Sequence, residues 1–141
     1  MRESDKVLVD LLRKHIGKND IEGTPELLDI GCSTGNLLLH LKRLAPSVNM
    51  TGGDLALSSI EEAKNNPALE GVSFQEMDIF NLPKSRFGII VVNAVVYMFD
   101  EQQYEIALSS IHEALKPGGA ALFFDFAQPH THELEIIEKN R

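Results

Sequence analysis

At 141 residues the chain is the size of one domain, long enough to bury a single core and about two-thirds of the surface its unfolded form exposes. Its 13 basic and 21 acidic residues leave a net charge of −8, which repels phosphate backbones, and the densest basic pairs, Arg13-Lys14 and Lys42-Arg43, read as solvated helix faces, so nucleic acid is disfavoured as a partner and a small molecule favoured. No apolar run reaches the ~18 residues of a membrane span, the mixed-charge residues 1–6 do not form a signal peptide, and the single Cys32 has no disulfide partner within the chain, so the expected compartment is the reducing cytoplasm.

In chain order, Leu8, Leu11, Leu12 and Ile16 fall at helical spacing and predict a helix over 5–16, with Gly17 as its stop. Residues 26–30, a short apolar run between Pro25 and Gly31, predict a buried strand. Leu37, Leu41 and Leu44 mark a helix closed by Pro46. A second strand is expected over 48–53 and a second crossover helix over 58–66, with Ser58 or Ser59 as its N-cap. Val72 and Phe74 alternate with polar residues, as in a third strand. The connection 78–87 is too short and broken, by Pro83, for a full helix. The β-branched run Ile89-Ile90-Val91-Val92 suits a central strand covered on both faces. Tyr104, Leu108, Ile111 and Leu115 form one stripe of a long helix. Residues 116–119 predict a turn, with Gly118 at the positive-φ position of type II. Residues 120–124 read as a fifth strand, and Leu134, Ile136 and Ile137 as a helix starting near Thr131.

Strands alternating with helices predict an α/β fold, an open, mainly parallel twisted sheet with helices on both faces. In such sheets ligands bind at the carboxyl ends of the strands, where the strand order switches. The sequence Leu28-Asp29-Ile30-Gly31-Cys32-Ser33-Thr34-Gly35-Asn36 joins the first strand to its helix there. Gly31 allows a sharp turn, and Gly35 a close approach of ligand or helix start. Asp54 ends the second strand 19 residues beyond Gly35, where a carboxylate can accept both hydroxyls of a ribose. Each feature alone is common, but the order and spacing together favour a nucleoside ligand. The dinucleotide fingerprint G-x-G-x-x-G is poorly matched, because Ser33 and Asn36 stand at two of its glycine positions.

These residues resemble the class I, Rossmann-like S-adenosylmethionine-dependent methyltransferases. The first motif of that family is similar to residues 28–35, its second-strand acid to Asp54 in Gly52-Gly53-Asp54-Leu55, and its adenine-side acid to Asp78 in Met77-Asp78-Ile79. Residues 87–94 are similar to its fourth strand and 115–119 to the loop before its fifth. The resemblance covers about 26–126 and implies S-adenosyl-L-methionine as cofactor. It places Asp29 near the methionine amino group, and Gly31, Cys32, Ser33 and Gly35 along the methionine part. Asp54 and Leu55 would lie at the ribose, Asp78 and Ile79 at the adenine, and Asn93 at the end of the fourth strand. The reaction implied is methyl transfer to a small-molecule acceptor by in-line displacement, with no metal. Ser33 departs from the family's usual middle glycine and Gly88 from the common acid beside the fourth strand.

No residue emerges as catalytic. Tyr97 follows the fourth strand and His130 and His132 follow the fifth, but each reads as an ordinary loop residue, and His15, His40 and His112 as helix surface or interface. Cys32 has no histidine near it in sequence to activate it. The resemblance divides the chain into an N-terminal cap over 1–23, a cofactor-binding core over 24–126 and the start of a C-terminal part over 127–141. The family's last two strands are expected to be missing, as in a fragment, leaving the fifth strand an apolar edge prone to self-association. The competing functions are a cofactor-binding module without catalysis, a nicotinamide-dependent oxidoreductase and an aminopropyl transferase.

Overall fold

Ile89, Ile90, Val91 and Val92 are all fully buried, as a run with no polar face requires. The structure, a computed structural model, describes residues 3–16, 26–93, 95–128 and 131–139. It places the run inside β4 (Phe87–Asn93). Around it lie β1 (Glu26–Ile30), β2 (Asn49–Asp54), β3 (Ser73–Glu76), β5 (Leu115–Gln128) and β6 (Thr131–Glu138). The sheet order is β3-β2-β1-β4-β5-β6, parallel throughout except for antiparallel β6. The helices are α1 (Glu3–Ile16), α2 (Asn36–Leu44), α3 (Leu57–Lys64) and α4 (Glu101–Ala114).

Alternation along the strands divides the core in two. Leu27, Ile89, Val91 and Leu122 face one side and pack with Leu8, Val9 and Leu12 of α1, Leu38 and Leu41 of α2, and Ile60 of α3. Leu28, Ile30, Ile90, Val92 and Phe123 face the other, against Ala107, Ile111 and Ala114 of α4. Each fully buried aliphatic side chain contributes about 1.5–3 kcal/mol, so β1 and β4, buried on both faces, hold the sheet's centre. Between them the chain order breaks, with β2 on one side of β1 and β4 on the other. Their carboxyl ends therefore frame a switch-point crevice.

The expected fold class is the observed one, with local corrections. The segment expected as a helix from Thr131 is β6, paired along β5 from Ala120↔Glu138 to Gln128↔Thr131. The fifth strand's edge is thus filled, which removes the basis expected for self-association through it. One strand beyond the fifth is present where both were expected to be missing. A hairpin satisfies the backbone groups that an edge would leave open, and that gain outweighs a three-residue apolar helical pattern. Leu115 leaves the helix and opens β5, which bulges so that Phe87 pairs with Leu115 and Ile89 with Ala120. Gly118 has the expected positive φ, 83°. The crossover helix starts earlier than read: its N-cap is Ala56, and Ser58 and Ser59 lie inside its first turn. His15 is not a surface residue. It is 5% exposed, with Nδ1 2.9 Å from the Leu11 carbonyl and Nε2 3.3 Å from Glu138 of β6.

The ends of α4 are fully answered. Asp100 and Gln103 form a reciprocal capping box at its start. At its end, Ser85 and Arg86 amides donate to the Glu113 and Ala114 carbonyls, and Lys139 Nζ donates to those of His112 and Leu115. At the amino ends of the strands, opposite the crevice, Glu26 accepts from Arg86 Nη2 at 3.0 Å and from Thr51 Oγ1 at 3.0 Å. Arg86 also donates to Gln75 at 3.2 Å and lies over the Phe87 ring. This half-buried group ties β1, β2, β3 and β4 together.

Arg86→Met should lower stability by about 1–2 kcal/mol, because Glu26 loses a two-point charged donor while keeping only Thr51. Arg86→Lys should recover less than half, since an ammonium cannot span the same acceptors. Urea midpoints of the three proteins would check both.

Candidate functional site

The crevice is built by the turn after β1, which is pinned to β2 by its own backbone. Gly31 and Cys32 amides both donate to the Gly53 carbonyl, at 2.7 and 3.1 Å, and the Gly35 amide donates to Cys32 at 3.0 Å. The Ser33 amide donates to Asp54 Oδ2 at 2.8 Å, and the Ala56 amide to Asp54 Oδ1 at 2.9 Å. Asp54 is therefore held at both oxygens, half-buried, with a lone pair on each oxygen still to offer. Ser33 reaches it only by adopting a left-handed φ of 51°, between Gly31 at 77° and Gly35 at 90°. A serine there costs roughly 1 kcal/mol.

The amides of Gly31, Cys32, Ser33 and Gly35 are all spent on the protein itself. A pyrophosphate cradle needs such amides free. The turn thus offers a pyrophosphate none of these four amides, in line with its poor match to the glycine fingerprint.

Asp29, next to last in β1, is 3% exposed and has no hydrogen-bond or ion-pair partner among the described residues. Burial, and then the nearby charge of Asp54, push its carboxyl from 3.8 up to about 7. Cys32 is also buried, and the same two causes, burial and the charges of Asp29 and Asp54, push its thiol up to about 12. A thiol held so firmly in its protonated form is a poor nucleophile. The site thus pairs a fixed carboxylate with a buried acid lacking a counter-charge, an environment that favours a cation.

The structure gathers most of the other predicted residues at the same end, with different tasks. Asp78 is exposed at the carboxyl end of β3, where its Oδ1 accepts the Phe80 amide at 2.9 Å. Leu55, beside Asp54, is 60% exposed. Asn93 ends β4 half-buried. Ile79 is 6% exposed and lies in the core with Met77 and Leu82, so its side chain is not offered to the crevice; neighbouring Phe80 is half-buried against Phe99, ring centroids 5.0 Å apart. Gly35 serves the fold as well: a Cβ there would lie 2.7 Å from Leu69 and 3.3 Å from Phe74. A Cβ on Gly31 would lie 2.6 Å from Val95, the residue across the switch point. Sequence reasoning missed Val95, Leu69 and Phe74, which line these glycines; their apolar character carried no signal beyond core. His130 lies outside the described residues, as do the side chains of Tyr97, Asp125 and His132. Among the described residues no three potential metal ligands cluster, and no helix is long and apolar enough to cross a membrane.

Comparison with known proteins points the same way. Residues 27–119 match the family described as methyltransferase domain. The tetracenomycin polyketide synthesis 8-O-methyl transferase TcmO of Streptomyces glaucescens is 34% identical over 101 residues, 70% of this chain and 30% of that protein. A malonyl-[acyl-carrier protein] O-methyltransferase of Haemophilus ducreyi is 32% identical over 135 residues, 92% of this chain and 50% of that one. The structure of PKMT2 from Rickettsia typhi in complex with AdoHcy superposes with a TM-score of 0.62 at 27% identity, covering 72% of this chain and 21% of that chain. The chain thus spans half or less of the length of these relatives.

Two outcomes follow from this geometry. Gly35→Val should cost about 2–4 kcal/mol in thermal melts, joining left-handed strain to a clash in the core. Gly71→Ala, whose φ of 91° is similar but whose Cβ would meet open space, should cost only about 1 kcal/mol. For Asp29 the folded value of about 7 lies above the unfolded 3.8. Between them the folded chain holds a proton that the unfolded chain has lost. Stability should therefore fall as pH rises from 3.8 to about 7, by as much as ~4 kcal/mol, and level off above. Denaturant titrations of wild type and Asp29→Asn should differ by that slope.

Proposed function

The chain belongs to the methyltransferase domain family, its cofactor is S-adenosylmethionine, and from that premise we propose that it forms the cofactor-holding half of an enzyme methylating a small-molecule acceptor. The observation that carries the reading is the buried, partnerless carboxyl of Asp29 beside the preset carboxylate of Asp54. The cofactor brings an ammonium and a sulfonium group, and one buried and one half-buried acid at this end of the sheet suit both charges. Bound, it supplies a methyl group poised for displacement with a neutral thioether leaving.

Each residue then has a task. Asp29 faces the ammonium. Asp54, its oxygens aimed by the Ser33 and Ala56 amides, accepts the ribose hydroxyls, and exposed Leu55 gives the sugar or base an apolar wall. Asp78 would accept from the adenine amino group, and half-buried Phe80 rather than buried Ile79 would offer the ring an apolar surface. Asn93 and the 95–99 segment face the acceptor. The turn at Gly31, Cys32, Ser33 and Gly35 sets the methionine part by shape, since its amides are already bonded. Such positioning supplies up to about 7–11 kcal/mol of barrier reduction for well-oriented reactants. A general base is needed only for an unactivated hydroxyl or amine. In this reading residues 24–126 are the cofactor-binding core, 1–23 a cap and 127–141 the opening of a C-terminal part, and the protein works in the cytoplasm. A nicotinamide reading has no matching observation, because the turn has spent its amides.

Calorimetry should show S-adenosylhomocysteine binding and NADH failing to bind. Asp54→Asn, which keeps one acceptor for the backbone amides, should weaken binding by about 1.5–3 kcal/mol through loss of a charged acceptor. Unchanged affinity in a folded Asp54→Asn protein would remove Asp54 from the ribose.

A further inference from the structure

Among the described residues Asp29 is the one side chain of the crevice that combines burial with a titratable group and no hydrogen-bond or ion-pair partner. It sits on the face of β1 shared with Leu27 and Cys32, between Gly52 of β2 and Val91 of β4 in the ladder. Neither ladder neighbour has a charge. The helices packed on that face bring Leu8, Val9 and Leu12 from α1, Leu38 and Leu41 from α2, and Ile60 from α3. Among the described residues the titratable groups near it are Asp54 at the end of β2, whose charge acts on it, and Cys32 in the turn, whose protonated thiol carries no charge. His15 of α1, also buried, is engaged by Leu11 and Glu138. A second negative charge beside Asp54, with no donor among the described residues to receive it, is unfavourable until a cation arrives.

We propose that Asp29 couples cofactor binding to proton release: it is a neutral acid in the unliganded protein and ionises when the cofactor's ammonium group docks beside it. The inference rests on the cofactor reading above and adds a regulation to it. In the step, the carboxyl O–H bond breaks, the proton passes to water, and the carboxylate that remains pairs with the ammonium. No other bond changes and no electrons are exchanged. Because the bound form requires the proton to leave, acid competes with the cofactor. The direction agrees with the upward displacement of the Asp29 carboxyl to about 7. Affinity should fall about tenfold for each pH unit below that value, a window in which the ligand's own ammonium stays protonated.

The test is calorimetry of the whole chain with S-adenosylhomocysteine, whose ammonium is its only cation, in two buffers of different ionisation heat. The expected result is close to one proton released per ligand at a pH of about 5.5 and close to none at about 8. In Asp29→Asn the release and the pH slope should both vanish. Infrared difference spectra give a second readout should that variant bind poorly. A protonated-carboxyl band should be present in the unliganded wild type at the lower pH, and lost both on ligand binding and in Asp29→Asn. Binding with no proton release, or release that persists in Asp29→Asn, would overturn the coupling and leave the cofactor reading standing. Failure to bind at every pH would instead sink the cofactor reading, and the coupling with it.

Discussion

The site depends on one hydrogen bond, from the Ser33 amide to Asp54 Oδ2. It joins the turn after β1 to the end of β2, the two segments on one side of the switch in strand order. The Gly31 and Cys32 amides bind the Gly53 carbonyl immediately before it, so the turn is laced to the strand at successive residues. The lacing explains why left-handed backbone is needed at Gly31, Ser33 and Gly35, and why a side chain is tolerated only at the middle one. Ser33 is exposed, whereas a side chain at either glycine would strike Val95 or Leu69. Strain at Ser33 is thus held in place by the carboxylate it orients.

In the function proposed above, that arrangement also decides what kind of ligand the crevice accepts. Backbone amides at a strand–helix turn ordinarily attract anions, and here those of Gly31, Cys32, Ser33 and Gly35 are occupied. What remains at the surface of the crevice is acceptor-rich. Burial of Asp29 without a donor raises the cost of leaving it charged, and a cationic ligand relieves that cost. The chain is acidic overall, but the selectivity lies in the placement of two carboxyls and four spent amides rather than in net charge.

Much of this was legible in the residues. The run Ile89-Ile90-Val91-Val92 suited a strand covered on both faces, and the glycines at 31 and 35, with Asp54 at the following strand end, pointed to the turn at the switch in strand order. Other parts were not legible, for physical reasons. Leu134, Ile136 and Ile137 fit a helix as well as a strand, and the decision fell to pairing with β5, a long-range interaction that no local pattern contains. The burial of His15 depended on Glu138, far away in sequence. Ile79 read as a ring-packing residue because it follows an acid, but the side of the chain it faces was set by the core. Asp29 could be placed near a positive charge by resemblance, whereas its lack of any partner is visible only once the strands are assembled.

The chain's single thiol, Cys32, lies at the heart of the crevice, yet burial and two neighbouring acids hold it in the protonated form. Attack by peroxides and alkylating agents needs the thiolate and needs access, and both are withheld while the turn stays laced to β2. A thiol so placed is shielded from oxidants, and Cys32 should react only after the turn itself has opened. The rate at which a thiol reagent marks Cys32 then becomes a clock for that opening.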